Sequence, residues 1–208
     1  MQAILPIRSP SPVLTSPDVM TFFLRQFVRA PTRVGAVAPS SKYLAAAMMR
    51  CADVPTASVV IEMGPGTGVF TESLAAELAP GSRFFALEIN PRFVEATRRR
   101  CPGVIVHMDS ATNARAHLEN IGAEHCDLIV SSLPWATFGP SLQSEILDTI
   151  VDVLRPGGRL LTFAYLQGLA MPSGQRFRKA LDARFGEVTK SPTVWRNVPP
   201  AFVYSAVK

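Results

Sequence analysis

The chain has 208 residues, 48% of them hydrophobic and 18% charged, enough apolar material for one packed domain and too much for global disorder. No run of 18 apolar residues occurs, and the start MQAILPIRSPSPVLTSPDV is broken by prolines and serines, so neither a membrane-spanning helix nor a secretory signal is expected. The net charge of +5 is uneven: residues 1–57 hold six basic groups against two acids, a balance suited to an anionic partner.

Residues 1–17 read as a disordered lead-in. Asp18 is placed to cap a helix that Pro31 stops near Ala30. Met20, Phe23, Leu24 and Phe27 follow i, i+3, i+4, i+7 on its apolar side, with Arg25 and Arg29 opposite. A second helix is expected over Lys42–Arg50, capped by Ser40 or Ser41. Residues 18–50 thus form a helical segment, either a lid or a membrane-binding element, ahead of a domain over 51–208. From there apolar runs alternate with helical patterns. Ser58–Glu62, Arg83–Glu88, Val104–Met108, Asp127–Ser132 and Arg159–Tyr165 read as strands. Gly68–Leu78, Pro91–Arg100, Ala111–Glu119 and Pro140–Leu154 read as helices or helical turns. That alternation predicts an α/β fold with a mostly parallel sheet covered on both faces. Glu187–Trp195 and Ala201–Val207 predict an antiparallel edge, giving seven strands. Cys51, Cys101 and Cys126 form no CxxC pair, so no disulfide framework and no metal site are expected, and a reduced, cytoplasmic compartment is.

The segment VVIEMGPGTGVF (59–70) is a strand ending in an acid, then Gly64, Gly66 and Gly68, then a helix. Glycines permit a tight turn and close approach of a ligand to the backbone. A dinucleotide loop prefers G-x-G-x-x-G and a pyrophosphate on the helix N-terminus. Here the spacing is G-x-G-x-G, and Glu62 would repel a pyrophosphate but accept hydrogen bonds from an ammonium group. That suits S-adenosylmethionine, with S-adenosylhomocysteine as the product. Glu88, with Ile89 after it, ends the second strand where an acid can hold ribose hydroxyls. Asp109, followed by Ser110, ends the third where it can meet an adenine amine. Thr67 and Ser132 complete the expected cofactor set. The fourth strand ends in Ser132, Leu133, Pro134 and Trp135, at the open edge where a methyl acceptor would sit. Trp135, Tyr165 and Trp195 are either core aromatics or faces that hold a methylated ammonium. His107, His117 and His125 show no ligand spacing, and His107 reads as structural.

Residues 59–170 resemble the class I S-adenosylmethionine-dependent methyltransferases, through EMGPGTG (62–68) and LRPGGRLL (154–161). The resemblance implies a Rossmann-like fold, here with an added N-terminal amphipathic helix. The wider chain resembles the bacterial phospholipid N-methyltransferases, through FLRQFVRAPTRVGAVAPSS (23–41) and TVWRNVPPAFVY (193–204). That family often shows S-G-L-P at strand four, where this chain has S-S-L-P followed by Trp135. The resemblance implies transfer of a methyl group to the amine of phosphatidylethanolamine and its mono- and dimethylated products. It also implies a peripheral position on the inner membrane face. Phe23 and Phe27 would then enter the acyl boundary and Arg25, Arg29 and Arg33 would meet lipid phosphate. Ser132, Trp135 and Tyr165 would be catalytic, with Leu133, Pro134 and Trp195 beside the substrate. The competing expectation is an RNA adenine N-methyltransferase, because SLPW (132–135) is close to N-L-P-Y. Ser132 stands where that motif has Asn and no helical RNA-binding domain follows, so nucleic acid is not the expected partner. A methyltransferase of a small apolar metabolite is the third reading.

Overall fold

The computed structural model describes residues 40–208. The expected lead-in and the helix from Asp18 to Ala30, with Phe23, Arg25, Phe27, Arg29 and Arg33, lie outside them. Seven strands form one sheet: β1 Val59–Met63, β2 Arg83–Leu87, β3 Ile105–His107, β4 Cys126–Ser131, β5 Leu154–Tyr165, β6 Glu187–Lys190 and β7 Ala201–Val207. Six helices accompany them: α1 Lys42–Cys51, α2 Val69–Glu77, α3 Pro91–Arg100, α4 Ala114–Asn120, α5 Pro140–Val153 and α6 Pro172–Asp182. The strand order is β3-β2-β1-β4-β5-β7-β6. The first five strands pair in parallel, while β7 runs antiparallel between β5 and β6.

All five residues of β1 are buried, because this central strand is covered on both faces. Its alternate side chains serve two cores. Val59, Ile61 and Met63 join Phe85, Ile129 and Leu160 against Leu118 of α4, Ile146, Leu147 and Ile150 of α5, and Phe177 and Leu181 of α6. Val60, Leu128, Val130 and Leu161 face the other way, onto Leu44 and Met48 of α1 and Phe70 and Leu74 of α2. Each such buried side chain contributes about 1.5–3 kcal/mol. α1 therefore belongs to the domain, and the boundary expected at residue 51 falls inside it.

Local chemistry sets the helix starts. Ser41 Oγ accepts from the Leu44 amide at 3.2 Å and caps α1. Asn90 Oδ1 accepts from the Arg92 amide at 3.0 Å and Pro91 occupies the first turn of α3. Two differences from the sequence reading stand out. β5 begins at Leu154, since the chain re-enters the sheet directly from α5 and passes an irregular register between Cys126 and Leu128. α6 is an added helix, whose buried residues are Phe177 and Leu181. Among the described residues no helix is long and apolar enough to cross a membrane.

Candidate functional site

The carboxyl ends of β1, β2, β3 and β4 bring Glu62, Glu88, Asp109 and Ser132 to one edge, where α/β sheets bind ligands. The glycine loop crosses it. Gly64, Gly66 and Gly68 all have positive φ, at 77°, 58° and 79°. A Cβ on Gly64 would come within 3.0 Å of Leu133 Cδ2, whereas one on Gly66 would meet nothing within 4 Å. Gly64 is thus required by its positive φ more than by the movable end of Leu133, and Gly66 leaves the backbone open to a ligand. The loop is held from outside: the Thr97 hydroxyl donates to Gly66 O at 2.9 Å, and the Gly64 amide donates to Leu87 O at 2.9 Å.

Glu62 is fully buried, and among the described residues neither of its carboxylate oxygens has a hydrogen-bond partner. Thr71 Oγ1 and Ser132 Oγ are likewise buried and without a partner among the described residues. Burial pushes the Glu62 carboxyl up to about 8; the Thr71 hydroxyl beside it opposes the rise, without closing a bond of ordinary geometry, and Glu88 adds to it. Leaving such acceptors dry and unsatisfied costs several kcal/mol as an order of magnitude, unless a ligand donor completes them. An ammonium group is the donor that fits. Glu88 is 7% exposed; its Oε1 accepts from the Asn90 amide at 2.9 Å and its Oε2 from the Gly66 amide at 3.3 Å. Burial raises its pKa, and these amide bonds oppose the rise. The remaining lone pairs fit ribose hydroxyls.

Asp109 is more occupied than its sequence position suggests. Its Oδ1 accepts from the Ser110 amide and from Asn113 Nδ2, both at 2.7 Å, and its Oδ2 lies 2.8 Å from His117 Nε2. Burial alone would raise this carboxyl, but the bonds from His117, Asn113 and Ser110 outweigh it and hold the pKa down. His117 lies tilted against His107, ring centroids 4.2 Å apart, and against Phe85. Burial, the His117 charge and Arg98 lower the His107 pKa against the pull of Asp109. Thr71, Thr97 and Asn90 help to build the site without a signal in the sequence, and so does His117, whose spacing shows no ligand pattern.

The other expected residues divide. Thr67 is exposed on the loop, while Ile89, Ser110, Leu133 and Pro134 are half-buried around the strand ends. The Ser132 amide donates to Met63 O at 2.9 Å, which fixes it beside β1. Tyr165 is half-buried at the carboxyl end of β5, edge-on to Phe163, and burial raises its pKa. Trp135 does not present a face to this edge. It is 4% exposed, stacks on Phe177 with centroids 4.8 Å apart, and donates from Nε1 to Thr162 Oγ1 at 3.0 Å. The expectation of a cation-holding Trp135 gives way to a packing role, because α6 supplies the ring that covers it. Trp195 is 70% exposed on the turn before β7 and is not packed into the strand-end cluster. An open groove of about 650 Å³ lies along α4 and α5, lined by Arg115, Ser144, Glu145, Asp148 and Asp152 among others; it contains none of the glycine-loop or strand-end residues.

Residues 60–158 match the family described as Methyltransferase domain. An ornithine lipid N-methyltransferase from Singulisphaera acidiphila is 31% identical over 188 residues, 88% of this chain and 92% of the relative. The structure of the N-methyltransferase NodS from Bradyrhizobium japonicum WM9 has a TM-score of 0.62 at 17% identity, over 79% of this chain and 93% of that one. The O-methyltransferase TomG from Streptomyces achromogenes, solved with S-adenosylmethionine, has a TM-score of 0.64 at 16% identity, over 94% and 100%.

Proposed function

The chain belongs to the S-adenosylmethionine-dependent methyltransferases, and from that premise we propose that its methyl acceptor is the amine nitrogen of a membrane-lipid headgroup, with phosphatidylethanolamine and its mono- and dimethylated products as substrates. The observation that carries this reading is the match to a lipid N-methyltransferase, which runs over 88% of the chain and so extends well beyond the 60–158 methyltransferase domain. An enzyme that shared only a cofactor-binding core would not require the flanks to match.

S-adenosylmethionine, when bound, supplies an electrophilic methyl group on sulfur and leaves as S-adenosylhomocysteine. The protein's part is to hold and orient. Glu62 is placed to accept from the cofactor's ammonium, Glu88 from the ribose hydroxyls and Asp109 from the adenine amine. Ser132, Leu133 and Pro134 line the edge where the acceptor nitrogen must approach, with Tyr165 bordering it. The acceptor would have to reach this edge as the neutral amine, its lone pair free to take the methyl group as the bond to sulfur is given up; a primary or secondary nitrogen would then release a proton to water, and a tertiary one would remain a permanent cation. Arg25, Arg29 and Arg33, with Phe23 and Phe27, would bring the chain to an anionic inner membrane face.

The test offers methyl-labelled cofactor with separate pools of phosphatidylethanolamine, ornithine lipid, an adenine-containing RNA and small apolar amines. Label in the phosphatidylethanolamine pool supports the reading. Label confined to ornithine lipid keeps the lipid-amine class and replaces the headgroup; label in RNA or in the small amines alone overturns it.

A further inference from the structure

We infer that the turn over residues 195–200, together with the first residues of α1, is a membrane-contacting rim beside the acceptor edge. The inference extends the lipid-headgroup reading by assigning where the described part of the chain meets the bilayer.

The polarity of this turn is inverted. Trp195 is 70% exposed and Val198 77%, while Asn197 between them is 4% exposed. The Asn197 amide is built into the fold: its Oδ1 accepts from the Ser41 amide at 3.1 Å and its Nδ2 donates to Pro199 O at 2.7 Å. With the polar side chain fixed inward, the two apolar ones are held outward. An exposed indole and isopropyl group three residues apart on one turn are costly in water and suit an apolar covering. The same edge carries Tyr43, 39% exposed, with the Arg196 guanidinium 5.1 Å from its ring centroid and the Lys42 ammonium 5.5 Å away. Residues 41–43 and 194–200 contain two cations and no acid. Aromatic rings with Lys and Arg, and no acid, match the interfacial layer of an anionic bilayer, where rings sit at headgroup depth and cations meet phosphate.

The position fits the occupant. Val194 bridges to Ala201, and Ala201 lies opposite Tyr165 at the carboxyl end of β5. The Leu166 amide donates to Pro200 O at 2.8 Å, which ties the turn to the segment bearing exposed Leu169 and Met171. The rim therefore borders the edge on which the strand-end acids open. A lipid whose amine reaches that edge would leave its phosphate and acyl chains at the rim.

The chain has two tryptophans, one buried and one on this turn, so Trp195 is its own reporter. The full chain is titrated with phosphatidylglycerol–phosphatidylcholine vesicles at low and high salt. Expected are a blue shift of tryptophan emission, quenching by lipids brominated along the acyl chains, and loss of both in Trp195→Phe. Val198→Asp should lower vesicle partitioning about tenfold or more, with cofactor affinity unchanged and turnover retained on a short-chain, detergent-dispersed headgroup substrate. Unshifted emission from vesicle-bound protein, or undiminished partitioning of Val198→Asp, overturns the inference. A blue shift on raising protein concentration without vesicles assigns the rim to a contact between copies and overturns it too. Wild-type protein that inserts Trp195 yet methylates no amine lipid leaves the rim standing and removes the acceptor reading.

Discussion

Replacing Glu62 by Gln separates what this carboxyl costs the empty protein from what it contributes to binding. Burial lifts its pKa from 4.5 to about 8. Across that window the folded protein keeps a proton that the unfolded chain has released. Stability due to this group therefore falls as pH rises above 4.5 and is fully lost above about 8. A rise of that size corresponds to at most about 5 kcal/mol. Glutamine has the same shape and no proton to lose, so the cofactor-free Glu62→Gln protein should match wild type at about pH 4 and exceed it by several kcal/mol near pH 9, measured by urea unfolding across that range. The cost reverses on binding. With S-adenosylhomocysteine as titrant, the variant should bind about 2–3 kcal/mol more weakly, because a charged acceptor of the ammonium is gone. Wild type should release about one proton per ligand near neutral pH, since the buried acid ionises when its cation arrives; calorimetry in buffers of different ionisation heat measures it. Parallel stability–pH curves for the two proteins, or wild-type affinity in the variant, would refute the reasoning.

Three further outcomes are expected. Glu88→Ala should weaken cofactor binding by about 1–3 kcal/mol, read by calorimetric titration, and wild-type affinity would remove Glu88 from the site. Trp135→Ala should lower stability by about 3–5 kcal/mol and reduce cofactor binding and turnover together, whereas Trp135→Phe should keep the stack on Phe177 and lose only the bond to Thr162, about 1 kcal/mol; urea melts beside turnover assays decide, and a stable Trp135→Ala variant with selectively lost turnover would restore a substrate role. His117→Ala should weaken cofactor binding by releasing Asp109 Oδ2, and His117→Gln, which can still donate, should recover part of it; equal affinity in both variants would confine His117 to packing.

How far the sequence could be read depended on whether a contact is local. The central strands were legible because a strand buried on both faces must be apolar throughout, as VVI and LIV are. The loop from Glu62 to Gly68 was legible because tight turning at positive φ selects glycine. The choice between the two readings of Trp135 is not legible in the sequence, because nothing local marks the ring that covers it. α6 shows only two buried residues, Phe177 and Leu181, and begins Pro-Ser-Gly, which reads as a loop. Gly174 is there because a Cβ would lie 2.0 Å from Gly168 O, a tertiary demand that leaves no local signature. The partner of His117 is not legible in the sequence because the turn Ala111–Asn113 winds the chain back before α4 returns the imidazole to Asp109, eight residues earlier. The two outer segments were recognised as patterns, but nothing in either predicted that Asn197 would bond to Ser41 across 156 residues.

The insertion of β7 between β5 and β6 has a consequence for biosynthesis. β6 touches the sheet only through β7, although β6 leaves the ribosome first. Until residues 201–207 emerge, the outer edge of β5 therefore carries unpaired backbone groups from Arg159 to Tyr165, beside the apolar side chains of Leu160 and Leu161. The nascent chain presents a strand edge that can pair with another copy, and the same strand that completes the sheet removes that hazard. A translation pause just before Ala201 would prolong the exposure, and faster delivery of AFVYSAV would shorten it. The seven residues that close this edge contribute no expected group to the cofactor site, so their sequence answers to folding alone.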